Sequence, residues 1–299
     1  MSVRTSATPT TSVTSITSVR KAVETAHRVS WVVLLALVTA EFFTDLPGPR
    51  WTTTLLPAGI VSVLLLTVLA LQSRAAAPKG DPRDPVEVEP PVTGRWSALN
   101  SPADKTPSHG THVYGQTYAV DIVVEPETGA DEPPARPPFR FFWPVVRRNR
   151  DFPAFGVPLL AVADATVVRV SDGQRDHLSR NSLPAFVFLM LIEGNIRMVL
   201  GAHRIFGNHV VLDLGDGTYA AYAHVQRGSM KVKAGDTVRA GQQIGRVGNS
   251  GNSTEPHLHF QLMDHPDLDT ARGIPFTWRG VGLPGGGETF SVGEQVAPV

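Results

Sequence analysis

The sequence predicts a β-rich domain over roughly residues 92–285, preceded by an N-terminal transmembrane helical segment or hairpin. Short apolar runs separated by Gly- and Asp-containing turns recur through the second part of the chain and carry almost no helical period. Two apolar stretches lie within residues 29–73, where a bilayer span needs ~20 such residues.

In chain order, residues 1–28 are rich in Ser, Thr and Val without an apolar period and read as a disordered tail. The stretch from Val29 to Phe43 is short for a span and carries Glu41, whereas Thr52 to Gln72 is uncharged and long enough. Leu46-Pro47-Gly48-Pro49 between them is a turn signal, so residues 29–73 read as one or two transmembrane helices. A linker rich in Pro, Asp and Glu covers 74–91. Expected strands of the domain include Tyr118 to Val124, Ala165 to Val170, Asn208 to Leu214, Tyr219 to His224 and His257 to Met263. Two insertions interrupt it, at 125–138 and 172–206. Within the second, Pro184 to Ile192, the turn Glu193-Gly194-Asn195 and Ile196 to Leu200 read as an apolar β-hairpin. Residues 286–299, entered through a run of glycines, read as a loose tail.

Composition removes several function classes. Basic and acidic side chains balance at 27 each, with no basic stripe, so no nucleic-acid partner is expected. There are no cysteines, which excludes disulfides and thiolate metal sites, and any metal centre must draw on the 10 histidines and the carboxylates.

The strongest chemical signal is Pro256-His257-Leu258-His259-Phe260. On a strand, histidines two apart project from one face, a natural start for a metal site. His224 stands at the end of another expected strand. Asp121 sits inside the apolar run Ala119 to Val124, where a carboxylate is costly unless paired or bound to a cation. Ser108-His109-Gly110-Thr111-His112 adds two imidazoles on a loop. His27, His177, His203 and His265 read as solvated loop or tail residues. His209, alternating with Asn208, is expected to point away from the site, and Asn208 reads as either an orienting residue or a turn residue.

The order of these residues, with Gly207-Asn208-His209-Val210-Val211-Leu212-Asp213, Tyr222-Ala223-His224 and the Val232-to-Gly245 hairpin, resembles the lysostaphin/LytM-type metallopeptidases over about residues 100–264. The resemblance implies an antiparallel β-sheet peptidase domain that uses Zn2+ to hydrolyse peptide bonds of peptidoglycan. Its metal ligands would be His109 (or His112), Asp121 and His259, with His224 and His257 as catalytic histidines. The family spacing His-x-x-x-Asp is stretched to twelve positions between His109 and Asp121. The histidine before Gly-Thr favours His109, and Gly110 would let the backbone approach closely.

Two alternatives belong to other classes. A non-catalytic zinc- or wall-binding module regulating other hydrolases would lack one or more site residues, and none is missing. A lipoyl-type carrier domain is suggested by the Val-x-x-Gly repeat and Met230-Lys231 but has no use for Asp121 or His-x-His. Membrane lipid is the expected partner of the N-terminal helices, with the catalytic domain outside the cytoplasm. If both apolar stretches span, the basic tail favours a cytoplasmic face for tail and domain alike. The expectation is therefore that the second stretch alone anchors the chain.

Overall fold

A computed structural model describes residues 26–27, 29–34, 36–41, 43–44, 48–49, 51–77, 83–127 and 135–293. Nearly all of the expected N-terminal tail and parts of the linker, the first insertion and the C-terminal tail fall outside these. The chain divides into two compact units, Met1–Ala75 and Ala76–Val299.

In the first unit, the apolar sequence from residue 56 onward forms α1, Leu56–Ala76, entered through a π-helical turn, Trp51–Leu55. The hydroxyls of Ser62 and Thr67 donate back to the carbonyls of Ala58 and Val63, so neither needs an outside partner. Val29–Glu41 is a shorter apolar helix, and Glu41 accepts a hydrogen bond from Thr53 Oγ1 (2.7 Å). His27, expected to be solvated, is instead 4% exposed, with its ring edge-on to Trp31.

Among the described residues, the second unit is built on thirteen strands. These are β1 Val86–Val88, β2 Gly94–Asn100, β3 Val120–Val124, β4 Pro158–Leu160, β5 Ala165–Ser171, β6 His209–Gly215 and β7 Thr218–Ala223. They continue as β8 Thr237–Val238, β9 Gln243–Arg246, β10 Leu258–Met263, β11 Gly273–Ile274, β12 Phe276–Trp278 and β13 Thr289–Val292. Nine form one sheet in the order β13-β2-β3-β10-β7-β6-β5-β8, with β11 added to β10, and every pairing within it is antiparallel.

Strand alternation gives the sheet two different faces. One carries Trp96, Ile122, Tyr222 and Phe260 in the main core, with Trp278 of β12 packed against Phe260. The other is lined by the small side chains of Ala221 and Ala223 and covered by Phe206, Met263 and Leu268. The small residues leave room on this second face, and the functional side chains collect there.

Four expectations are corrected. The apolar insertion is helical, not a β-hairpin. It runs through α2 Leu183–Phe188, a π-helical stretch Leu189–Glu193 and α3 Gly194–Leu200, followed by α4 Ala202–Phe206. Ser182 caps it, its side chain accepting from the Ala185 amide, with Pro184 in the first turn. Gly194 is not a turn glycine: its φ is −62°, and a Cβ there would stand 3.0 Å from Leu189 O and 3.3 Å from Asn252 Oδ1. It is a packing glycine inside a helix. The C-terminal tail is not loose throughout, because β13 pairs with β2 and closes the sheet edge. The end of the expected linker is strand β1, paired in parallel with β12. His209 does not point away from the functional face, as described below.

Candidate metal centre

The register of four strands builds the centre. Asn100 stands opposite Asp121 across β2 and β3, Asp121 opposite His259 across β3 and β10, and His259 opposite Ala223 across β10 and β7. A bulge between Ala98 and Asn100 brings Asn100 into this row. His257 enters two residues before His259, on the same face. His224 follows Ala223 with φ +59°, a left-handed conformation that few non-glycine residues adopt. That conformation is held by hydrogen bonds from His224 N to Phe206 O and from Gly248 N to His224 O.

Three donors converge. His109, Asp121 and His259 offer ligand atoms within 4.8 Å of one another. Asp121 Oδ2 lies 2.9 Å from His109 Nε2, and Oδ1 lies 2.9 Å from His259 Nδ1 and 3.5 Å from His257 Nε2. Asn100 Nδ2 donates to Asp121 Oδ2 (2.8 Å) and fixes the carboxylate from behind. His112 is not among them, because its Nδ1 is turned to Thr117 Oγ1 (3.0 Å). Gly110 contributes its backbone conformation, φ +71°, rather than the close approach expected of it; a Cβ there would meet nothing within 4 Å.

The outer nitrogen of each imidazole assigns its tautomer. Gln261 Nε2 donates to Tyr114 O (2.8 Å), so Gln261 Oε1 must accept from His259 Nε2 (3.1 Å), and the lone pair of His259 lies on Nδ1. The single hydroxyl proton of Ser108 goes to Ala119 O (2.7 Å), so Ser108 Oγ accepts from His109 Nδ1 (3.0 Å), leaving the lone pair of His109 on Nε2. His257 Nδ1 donates to Glu255 O (2.8 Å) and His224 Nδ1 to Ser250 O (2.8 Å), leaving both Nε2 atoms as acceptors. Three imidazole lone pairs therefore face one carboxylate. Those of His109 and His259 oppose it at 2.9 Å and repel unless protons or a cation lie between them, and one divalent cation answers both. The carboxylate and imidazole donors suit zinc.

Electrostatics set the four groups apart. Burial works to raise the Asp121 carboxyl, but the charges and hydrogen bonds of His109 and His257 outweigh it and hold the carboxyl well below its usual range. Burial, with His257 and His259 beside it, pushes His224 well below the ordinary imidazole range. Burial also wins at His259, which is lowered despite Asp121. At His257 the pull of Asp121 exceeds the cost of burial and the pKa is raised.

Sequence reasoning missed three residues. Gln261 falls in β10, two positions beyond His259, and could have been found by continuing the same-face count. Asn100 becomes visible only through the bulge. Gly115 (φ +76°) could not have been identified without the fold: a Cβ on it would stand 2.7 Å from Gln261 Nε2.

The remaining histidines lie outside the cluster. His209 lies on the same sheet face as the centre, since β6 alternates in step with β7, but Phe206 stands between it and His259, with ring centres 6.2 and 5.4 Å away. His177 is held between Leu178 O and Gly251 O rather than solvated, whereas His203 and His265 are exposed. Asn208 is fully buried and binds Gln174 and Val225, bracing two loops instead of touching the donors.

Residues 191–269 match Peptidase family M23. Among curated proteins, the chain is 32% identical over 130 residues to Cell division protein DipM of Caulobacter vibrioides, 43% of this chain and 19% of that protein. It is 41% identical over 61 residues to Peptidoglycan DD-endopeptidase ShyA of Vibrio cholerae, 20% of this chain and 14% of that protein. The matched stretches thus span less than a fifth of either relative. Among solved structures, the catalytic domain of lysostaphin from Staphylococcus simulans is 28% identical, covering 40% of this chain and 68% of that one, with a TM-score of 0.27. The sequence relationship and the β-rich antiparallel sheet together identify the chain as carrying a peptidase M23 domain.

Proposed function

We propose that this chain is a membrane-anchored zinc metalloendopeptidase that hydrolyses peptide bonds of peptidoglycan outside the cytoplasm. The observation that carries the reading is the convergence of His109 Nε2, His259 Nδ1 and Asp121, each held from behind by a partner that leaves its lone pair free. In this reading those three residues hold zinc, which when bound supplies Lewis acidity toward a peptide carbonyl and toward water.

The chain's own groups supply the rest. His224 and His257 lie with ring centres 4.8 Å apart, each with its Nδ1 on a backbone carbonyl and its Nε2 left for the reaction. Between them they accept the proton shed by the attacking water and, once protonated, donate to the carbonyl oxygen and then to the leaving amine. Gln261 and Ser108 lock the tautomers that make this possible, and Asn100 holds the carboxylate in place. Apolar α1, whose Ser62 and Thr67 hydroxyls are satisfied within the helix, is the proposed anchor.

The discriminating experiment is zinc content and peptidoglycan digestion by the purified full chain beside its His109→Ala and His112→Ala variants. The reading requires about one zinc per chain, lost with His109→Ala and kept with His112→Ala, and digestion that follows the metal. The twelve-position spacing of His109 and Asp121 keeps a second reading, a wall-binding module without turnover. His224→Ala separates the two: an enzyme loses hydrolysis while keeping its metal, whereas a binding module is unaffected.

A further inference from the structure

Two segments distant in sequence form one exposed apolar surface on the domain. Leu183–Leu200 is an 18-residue helical run with mean hydropathy 1.7, and only 11% of it is buried. Residues 139–146 lie against its start: Leu183 N donates to Arg140 O (3.0 Å), Ser182 Oγ donates to Val145 O (2.7 Å), and Phe139 meets Phe186 edge-on. The joint surface presents Phe141, Phe142, Trp143, Phe188, Leu191 and Ile196, and Trp143 is 80% exposed. A water-soluble surface seldom carries so large a contiguous apolar patch without a partner.

Charge selects the partner. Residues 135–150 hold five arginines and no acidic residue. Arg136 is taken by Glu255, while Arg140, Arg148 and Arg150 are exposed beside the aromatic tip. Glu193, the one acid of Leu183–Leu200, is neutralised by Arg180 and Arg197. The run does not cross a bilayer, because it is tied into the domain by Arg180 N to Thr254 O at one end and Asn252 N to Ile205 O at the other. An apolar face with an exposed Trp and a basic collar, in which Arg140, Arg148 and Arg150 outnumber the exposed Asp151, fits the interface of an anionic bilayer, where aromatic rings settle at headgroup depth and nearby arginines are drawn to the headgroups.

We propose that this surface docks the M23 domain peripherally onto an anionic phospholipid bilayer, with the 139–146 segment and α2–α3 sunk to headgroup depth. Because Asn252 and Gly251 contact this insertion and lead directly to His257, docking would hold one rim of the metal centre at the membrane. The inference does not depend on zinc or turnover.

The cysteine-free chain allows a direct test. Single cysteines placed by Phe142→Cys, Leu191→Cys and, as a control on an exposed turn, Lys233→Cys are labelled with a polarity-sensitive fluorophore. Each full chain is then reconstituted into vesicles of phosphatidylcholine with or without phosphatidylglycerol. In anionic vesicles the labels at 142 and 191 should shift to the blue and be quenched by shallow spin-labelled lipid, while the control stays open to aqueous iodide. Combined Arg148→Glu and Arg150→Glu should cut that lipid quenching by more than about half with the circular dichroism spectrum unchanged. Iodide access at 142 and 191 in anionic vesicles overturns the proposal. Protection without lipid quenching also overturns it and points to a protein cover. Equal quenching in pure phosphatidylcholine overturns the anionic requirement and with it the proposal. Loss of zinc or of hydrolysis in these chains would bear on the metal reading alone.

Discussion

At the scale of single residues, the centre is governed by the groups behind its donors. Gln261 sets which nitrogen of His259 carries the proton, and Tyr114 O sets which way Gln261 faces. Gln261→Leu should therefore weaken zinc binding about 10- to 100-fold with little change in fold, as measured by competition with a chromogenic chelator. Asn100→Ala should act in the same direction by freeing one oxygen of Asp121. His224→Ala should leave zinc content intact and lower turnover about 100- to 10,000-fold in a wall-digestion assay. Acidification should strip the metal, since each ligand imidazole must be neutral. Burial lowers the pKa of His259, so protons compete at its Nδ1 only below the ordinary imidazole range. Zinc content followed by dialysis from mildly alkaline to acidic pH should accordingly hold through neutrality and fall below it, and a loss beginning above neutrality would contradict this order. Most of this chemistry was legible in the sequence: His257 and His259 announce a shared face, and a lone Asp121 in an apolar strand announces a partner. The choice between His109 and His112 was not decided by the sequence, because a loop has no period, and only the Thr117 hydrogen bond turns His112 aside.

At the scale of elements, strands could be read and the apolar insertion could not. Strands β3, β6, β7 and β10 alternate between a core face and a functional face, and that alternation appears in the sequence. Leu183–Leu200 is apolar on nearly every side because most of it faces outward, so it offers no amphipathic stripe. Its real signal is the cap, Ser182 followed by Pro184. Ser182→Ala removes both that cap and the bond to Val145 O and should lower stability by about 1–2 kcal/mol, seen as a drop in the thermal midpoint. A second element-level joint is the bidentate pair between Arg136 and Glu255, which fixes the turn before His257. Arg136→Ala would leave the Glu255 carboxylate buried and alone. The cost should fall short of the ~3–5 kcal/mol of a fully buried pair, because 27% of the Arg136 side chain stays exposed.

At the scale of the whole molecule, the order of the chain is simple: apolar helices first, then one domain built on a nine-stranded sheet. Topology is the proposition that belongs to this scale. If α1 alone anchors the chain, protease added to intact cells should digest the M23 domain, and a domain protected until lysis would place it inside. The sequence could not foresee that β13 returns to pair with β2, because a short segment after three consecutive glycines carries no periodic signal and gains its place only from the edge it covers.

Asp121 and His259 are 138 positions apart in sequence and meet directly across two strands. An ion held between them would cross-link the chain over that distance, as a disulfide does in proteins that, unlike this one, contain cysteine. Such a cross-link exists only in the folded state, so mass action ties folding to metal supply. A free zinc concentration a thousandfold above the dissociation constant adds ~4 kcal/mol to the stability of the domain. Until it meets zinc, the newly made domain would be the form most open to proteolysis, and zinc supply would set how much of it survives.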